Sequence, residues 1–191
     1  MPTLSAALDD DESTVRIAVV RALGRIRDPA AVRPLLGALD DREPRIRRDA
    51  AEALGRLRAG GAVDGLVGAL DDTAPGVVRN AVEALGRIRD PAAVEGLVAA
   101  LAHADMAVVE EAAQALGRIR GDAAVDGLAR GLRTAGPEAA QQIVHALGRI
   151  GGERAVEALI AATDDASPAV RKAVIEALSR SPRVLPGGDG P

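Results

Sequence analysis

The chain has 191 residues, 24 of them basic and 28 acidic, a net charge of −4, and no cysteine, phenylalanine, tyrosine or tryptophan. So small a charge supplies no global field to draw in nucleic acid or an acidic membrane, and the missing cysteine removes disulfide, thiolate and zinc-thiolate chemistry. The core is left to Leu, Ile, Val and Ala, and Lys172 is the single lysine beside the arginines.

Residues 1–8 lack the charged region and long apolar run of a secretory signal, and no apolar stretch approaches the roughly 18 residues of a membrane span. A soluble, cytoplasmic chain is expected. The phrase Ala22-Leu23-Gly24-Arg25-Ile26 then begins a series. It returns at 53–57, 84–88, 115–119 and 146–150, each time after 31 residues, and fades at Ala177-Leu178-Ser179-Arg180-Ser181. A fixed period of this size without insertion or deletion is the signature of a solenoid, in which each unit packs mainly on its neighbours.

Residues 28–58 serve as the type unit. Asp28 and Pro29 form an N-cap and first-turn pair, and Val32, Leu35, Leu36 and Leu39 follow at helical spacing. Asp40, Asp41, Arg42 and Glu43 make a polar turn, after which Pro44 opens a second helix that buries Ile46, Ala50, Ala53, Leu54 and Leu57. Each unit reads as a helical hairpin. Pro34 in the first helix aligns with Gly65, Gly96, Gly127 and Ala158, which predicts a bend or late start there. Gly24, Gly55, Gly86, Gly117 and Gly148 near the end of the second helix predict close approach of neighbouring backbones rather than a phosphate loop.

The fold predicted is therefore all-α, one right-handed solenoid over residues 1–182. Its six 31-residue hairpins span about 1–27, 28–58, 59–89, 90–120, 121–151 and 152–182, and residues 183–191 form a flexible tail. The first unit starts inside its first helix, with Leu4 and Leu8 offering apolar surface for end-to-end contact. The last carries Ser179 and Ser181 as a polar cap, over which Val184 and Leu185 could fold.

The pattern Val15-Arg16, Ala22-Leu23-Gly24, Asp28-Pro29, Ala31-Val32, Leu35-Leu36 and Ala38-Leu39 resembles the HEAT repeats of the phycobilisome-lyase-like subgroup. That resemblance implies a superhelix whose second helices line a concave surface that binds a macromolecule. It also implies that an acidic residue in the turn and an arginine early in the second helix tie units together: Asp9 and Asp10 with Arg16, Asp40 and Asp41 with Arg47, Asp164 and Asp165 with Arg171. The middle departs from this. Repeat 3 has Asp71 and Asp72 but Val78 at the arginine position. Repeats 4 and 5 carry Ala102, His103 and Val109, then Arg133, Thr134 and Ala140. Drift in a stable stack accounts for the interruption, as does a specialised segment that flexes or binds a partner.

On the second helices the expected exposed stripe includes Arg45, Asp49, Glu52 and Arg56, then Gly76, Asn80, Glu83 and Arg87. It continues with Ala107, Glu111, Gln114 and Arg118, then Glu138, Gln142, His145 and Arg149. A row of arginines would run along one edge, from Arg25 through Arg56, Arg87, Arg118 and Arg149 to Arg180. Each complements the dipole at its helix end, and several have Glu four residues before them, which gives the row a structural reading. The functional reading makes them anchors for carboxylates on a partner segment. Asn80, Glu83, Glu111, Gln114, Gln142 and His145 would give selectivity. His145 and His103 lie in different repeats and make no metal or catalytic pair.

With no nucleophile beside a base and no phosphate loop, the chain reads as a non-catalytic scaffold for a protein or peptide. No cofactor, metal, nucleic acid or membrane is expected, and a monomer is expected rather than a homodimer. The alternatives are a bilin-lyase-type accessory protein, or a chain selected or designed for folding with no natural partner.

Overall fold

The computed structural model describes residues 2–163 and 167–179, within which the chain is helical and contains no strand. Twelve α-helices follow one another among these residues. They are α1 (Pro2–Ala6), α2 (Ser13–Ile26), α3 (Val32–Gly37), α4 (Pro44–Leu57), α5 (Val63–Gly68), α6 (Pro75–Ile88), α7 (Val94–Ala100), α8 (Met106–Ile119), α9 (Gly121–Thr134), α10 (Pro137–Ile150), α11 (Glu153–Ala161) and α12 (Pro168–Ser179). The even-numbered second helices start 31 residues apart, from Ser13 to Pro168. Proline opens four of them, where its missing donor and fixed φ cost nothing. The expected tail and the residues Asp164, Asp165, Arg180, Ser181, Val184 and Leu185 lie outside the described residues.

The first helices are short and start late, as the proline and glycine positions predict. Asp28 Oδ1 accepts the Ala30 amide at 2.8 Å and caps a 3-10 turn, Pro29–Ala31, before α3 begins; Asp90 does the same for Ala92 at 2.9 Å. The fifth unit differs from that expectation. Its first helix α9 is continuous over 14 residues despite Gly127, and Gly121-Asp122 stands where the second and fourth units carry the Asp-Pro pair that opens a 3-10 turn.

Two columns of leucine run through the stack. Leu23, Leu54, Leu85, Leu116 and Leu147 on the second helices, and Leu35, Leu66, Leu97, Leu128 and Leu159 on the first, are all fully buried. Each such side chain stabilises the fold by about 1.5–3 kcal/mol relative to exposure. Val32, Leu36 and Leu57 are only partly buried, at the margin of this core. Leu4 and Leu8 are likewise half-buried and packed on the core, so they do not form the open apolar end that their position suggested.

Spacing between units differs on the two sides. A Cβ added to Gly55 would stand 2.7 Å from the Ala84 Cα, and one on Gly24 or Gly86 would come within 2.9 Å of the next helix's alanine. The second helices therefore meet backbone to backbone. First helices are held apart by side chains: a Cβ on Gly65 would meet Leu36, and one on Gly127 would meet Val98. A stack with one row more tightly spaced than the other has the tight row on its inner side, which makes the second-helix face the inner one.

The arginines of the turn ladder reach in a direction that corrects the expected pairing. Arg16, 4% exposed, donates from Nε and Nη2 to Asp41 of the following unit at 2.7 and 3.0 Å, and holds its own turn only through the Asp10 and Asp11 carbonyls. Arg47 repeats this on Asp72, at 2.5 and 2.8 Å, with its own turn held through the Asp41 carbonyl. Each aspartate also accepts an amide two residues on, Glu43 or Ala74, so it closes its turn and receives its neighbour at once. Burial opposes ionisation of Asp41, but the Arg16 bond and the Glu43 amide outweigh it and hold the carboxyl below its ordinary range. The Arg47 bond does the same for Asp72 against its burial.

In this register Val78 corresponds to His103 and Val109 to Thr134, so these two lost arginines have lost their acceptors as well, whereas Ala140 corresponds to Asp165, which the sequence keeps. His103 still closes its turn: its Nδ1 accepts the Asp105 amide at 2.9 Å, as the aspartates do elsewhere. Later units are tied on the first helices instead, by Arg130 to Glu95 at 2.6 Å and by Arg154 to Asp126 at 2.7 and 2.8 Å.

Each second helix from α2 to α8 ends on an arginine with positive φ: Arg27, Arg58, Arg89 and Arg120 at 55°, 50°, 62° and 62°. For a residue with a Cβ this conformation costs about 1–2 kcal/mol. A cation at a helix C-terminus recovers about 0.3–1 kcal/mol of that. The equivalent of these arginines after α10 is Gly151, at φ 66°.

Candidate functional site

Of the arginines expected to anchor a partner, three are occupied by their own helices. Arg56 pairs with Glu52 at 2.5 Å and Arg87 with Glu83 at 2.6 Å, both across one helical turn. Arg118 reaches back two turns to Glu111 at 2.8 Å and donates to Gln114 Oε1 at 3.3 Å. Arg149 is exposed and forms no ion pair among the described residues. Asn80 turns its amide to the Gly76 carbonyl at 3.1 Å.

Two residues expected on the exposed stripe of the second helices are buried, Ala173 and Asp49. Asp49 is only 7% exposed and is clasped by Arg21 from the preceding unit at 2.8 Å and by Arg48 at 2.7 Å. Burial opposes its ionisation, yet the bonds from Arg48 and Arg21 prevail and lower its pKa. The charge alternation Arg48-Asp49 beside Arg21 carried no sequence signal of depth, because the burial comes from the neighbouring helix.

The remaining predicted residues come together at α8, α10 and α12. Gln114, Gln142, His145 and Arg149 rim a depression of about 360 Å³ floored by Gly117, Ala146, Gly148 and Ala177. It opens there because the helices part: a Cβ on Gly117 would lie 3.8 Å from Ala146, an ordinary contact, against the clashes at Gly24, Gly55 and Gly86. Gln142, His145 and Arg149 carry no side-chain hydrogen bond among the described residues, so donors and an imidazole stand free over a floor of small side chains.

Gln114 also borders a second depression of about 470 Å³ on α4, α6 and α8, where Asn80, Glu83 and Glu111 meet Glu110, Arg48 and Arg79. The inner face thus runs from an acid-rich hollow to a hollow with a free arginine. Among the described residues no three His, Asp or Glu side chains gather as a metal site, and no helix is long and apolar enough to cross a membrane.

This fold and surface are those of a helical repeat protein. The profile of HEAT repeats matches residues 1–85, 69–141 and 131–186, and the chain belongs to the HEAT-repeat family. Among curated proteins none matches the sequence. Several solved structures share the fold. The complex of CpcE and CpcF of phycocyanin lyase from Nostoc sp. PCC7120 is 24% identical, with a TM-score of 0.64 over 93% of this chain and 76% of that one. An engineered protein is 23% identical, with a TM-score of 0.62 over 93% and 94% of the two chains. A designed armadillo repeat protein in complex with the peptide (KR)4 is 22% identical, with a TM-score of 0.60 over 93% and 98%.

Proposed function

We propose that this chain is a non-catalytic scaffold that binds a segment of another protein along the inner face of its second helices, as a monomer in the cytoplasm and without a cofactor. The observation that carries this reading is the hollow rimmed by Gln114, Gln142, His145 and Arg149, where the last three keep free polar groups at the place the helix row loosens. Arg149 supplies a bidentate donor for a carboxylate, while the amides of Gln142 and Gln114 suit a peptide backbone. Arg56, Arg87 and Arg118, neutralised by their own glutamates, contribute shape and edge charge rather than anchoring. Asn80, Glu83 and Glu111 set the character of the adjoining acidic hollow. A designed armadillo repeat protein of like fold is in complex with the peptide (KR)4, which supports a peptide as occupant.

Selection from a random peptide display library on the wild type, counter-screened against His145→Ala, Arg149→Ala, tests the reading. Enriched sequences with a recurring acidic position that bind the wild type and not the folded double variant are expected; enrichment that survives the substitution would place recognition elsewhere. A bilin added to the protein tests the accessory-lyase alternative, which predicts a visible absorption change.

A further inference from the structure

The left-handed arginines mark a second surface that the inner groove does not use. Arg27, Arg58, Arg89 and Arg120 stand one behind another on the edge where each second helix hands over to the next unit, and all four are exposed. Arg27, Arg58 and Arg89 make no side-chain hydrogen bond or ion pair among the described residues. Arg27, Arg58 and Arg89 are left-handed helical, with ψ of 33°, 44° and 34°, while Arg120 has ψ −168° and shares that with Gly151 at the equivalent place one unit later; glycine adopts either conformation without strain. Four successive units therefore hold an unfavourable residue where an easy one is available, and the helix dipole offsets only part of that cost. The acids on this edge are turned away from the arginines: Asp28 and Asp90 cap the Ala30 and Ala92 amides.

We infer that this arginine edge binds a carboxylate-rich polypeptide segment in polyproline II conformation. Helices of the stack lie roughly 8–10 Å apart, and a polyproline II chain has three residues per turn with a rise of roughly 3.1 Å each, so every third side chain returns to the same face roughly 9 Å further on and meets the next arginine. Guanidinium forks on a rigid backbone pair with carboxylates two bonds at a time. A protein partner fits better than nucleic acid, because the chain has no aromatic residue on which bases could stack.

The test uses a labelled peptide with Glu at every third position in a Gly-Ser background, followed by fluorescence anisotropy at low ionic strength. The variant is Arg27→Gly, Arg58→Gly, Arg89→Gly, chosen because glycine suits the backbone at all three sites, so the variant melts no lower than the wild type. Expected is a loss of affinity of about tenfold, the sum of three exposed ion pairs of ordinary strength, with Tm equal or raised. The same loss is expected when the three glycines are introduced in the His145→Ala, Arg149→Ala background, which removes the inner hollow's own carboxylate donor from the comparison. Equal binding by wild type and triple variant, or none by the wild type, overturns the proposal. Tighter binding of a single-stranded oligonucleotide of matching charge, lost in the same variant, overturns the assignment to an acidic polypeptide.

Discussion

Arg47 grips Asp72 of the following hairpin, not the aspartates of the turn that precedes it. Its guanidinium meets four acceptor atoms, both carboxylate oxygens of Asp72 in the following unit and the Asp41 and Arg42 carbonyls of its own turn, and the partly buried pair therefore fixes the angle between hairpins. Hydrogen bonds to charged groups of this kind contribute about 1.5–3 kcal/mol. Arg47→Met should lower stability by about that amount in urea unfolding, with Asp72→Asn costing a similar amount and the double variant much less than the sum.

The same register predicts a gain. Val78 and His103 occupy the places of Arg47 and Asp72 one unit later. Val78→Arg, His103→Asp together should install a further staple and raise stability by about 1 kcal/mol, whereas Val78→Arg alone buries an unpaired charge and lowers it. A thermal melt of the two single variants and the double variant decides the matter; additive effects would show that the geometry is not shared.

Acid should loosen the amino-terminal half first. Asp41, Asp49 and Asp72 all have pKa values below the ordinary carboxylate value. The unfolded chain then binds protons more readily than the folded one, so stability is fully present above roughly pH 4 and is lost as pH falls through the folded values. Asp72→Asn should be less stable at neutral pH and show a shallower acid dependence, measured as urea midpoints along a pH series.

Glycines at one repeat position should respond oppositely. Gly55→Ala drives a Cβ to 2.7 Å from the Ala84 Cα, and overpacking exceeds the helix-propensity gain, for a net loss of about 1–2 kcal/mol. Gly117→Ala meets nothing closer than 3.8 Å and should be neutral or stabilising by up to about 1 kcal/mol. Equal losses at both sites would contradict the widened gap between α8 and α10.

Much of this was legible beforehand, and for a physical reason. The leucine columns, the proline-opened second helices and the close glycines follow from periodicity and local sterics, which the chain states in every unit. What stayed hidden depends on neighbours. Asp49 reads as surface on its own helix and is buried by Arg21 of the helix before. The turn arginines point forward by one unit, a direction that local spacing does not encode: Asp72 persists while Val78 replaces its apparent partner, as a forward pairing requires, but Asp165 persists although Ala140 stands in its forward partner's place. Arg58 gave no hint of its left-handed backbone, since an arginine at a helix end reads as a favourable charge at the dipole. Of the surface, the loosened segment at Gln114, Gln142, His145 and Arg149 was visible as a change of chemistry. The glutamates that occupy Arg56, Arg87 and Arg118 were visible only as favourable spacing.

Hydrogen exchange should grade the stack. The junctions α2–α4 and α4–α6 carry half-buried bidentate pairs, while the later units rely on exposed pairs such as Arg130 with Glu95, worth little in water. Amides of α4 and α6 should exchange more slowly than those of α8 and α10. Uniform protection would mean that the leucine columns alone set local stability.

The forward reach of the arginines gives the chain a direction of assembly. A hairpin emerging during synthesis presents Arg16 or Arg47 before the aspartate that will receive it has been made, so each junction locks only when the next turn arrives. In a quasi-one-dimensional stack, where order can spread from any point, such latches favour growth from the amino-terminal units outward, each finished unit serving as the template on which the next one closes.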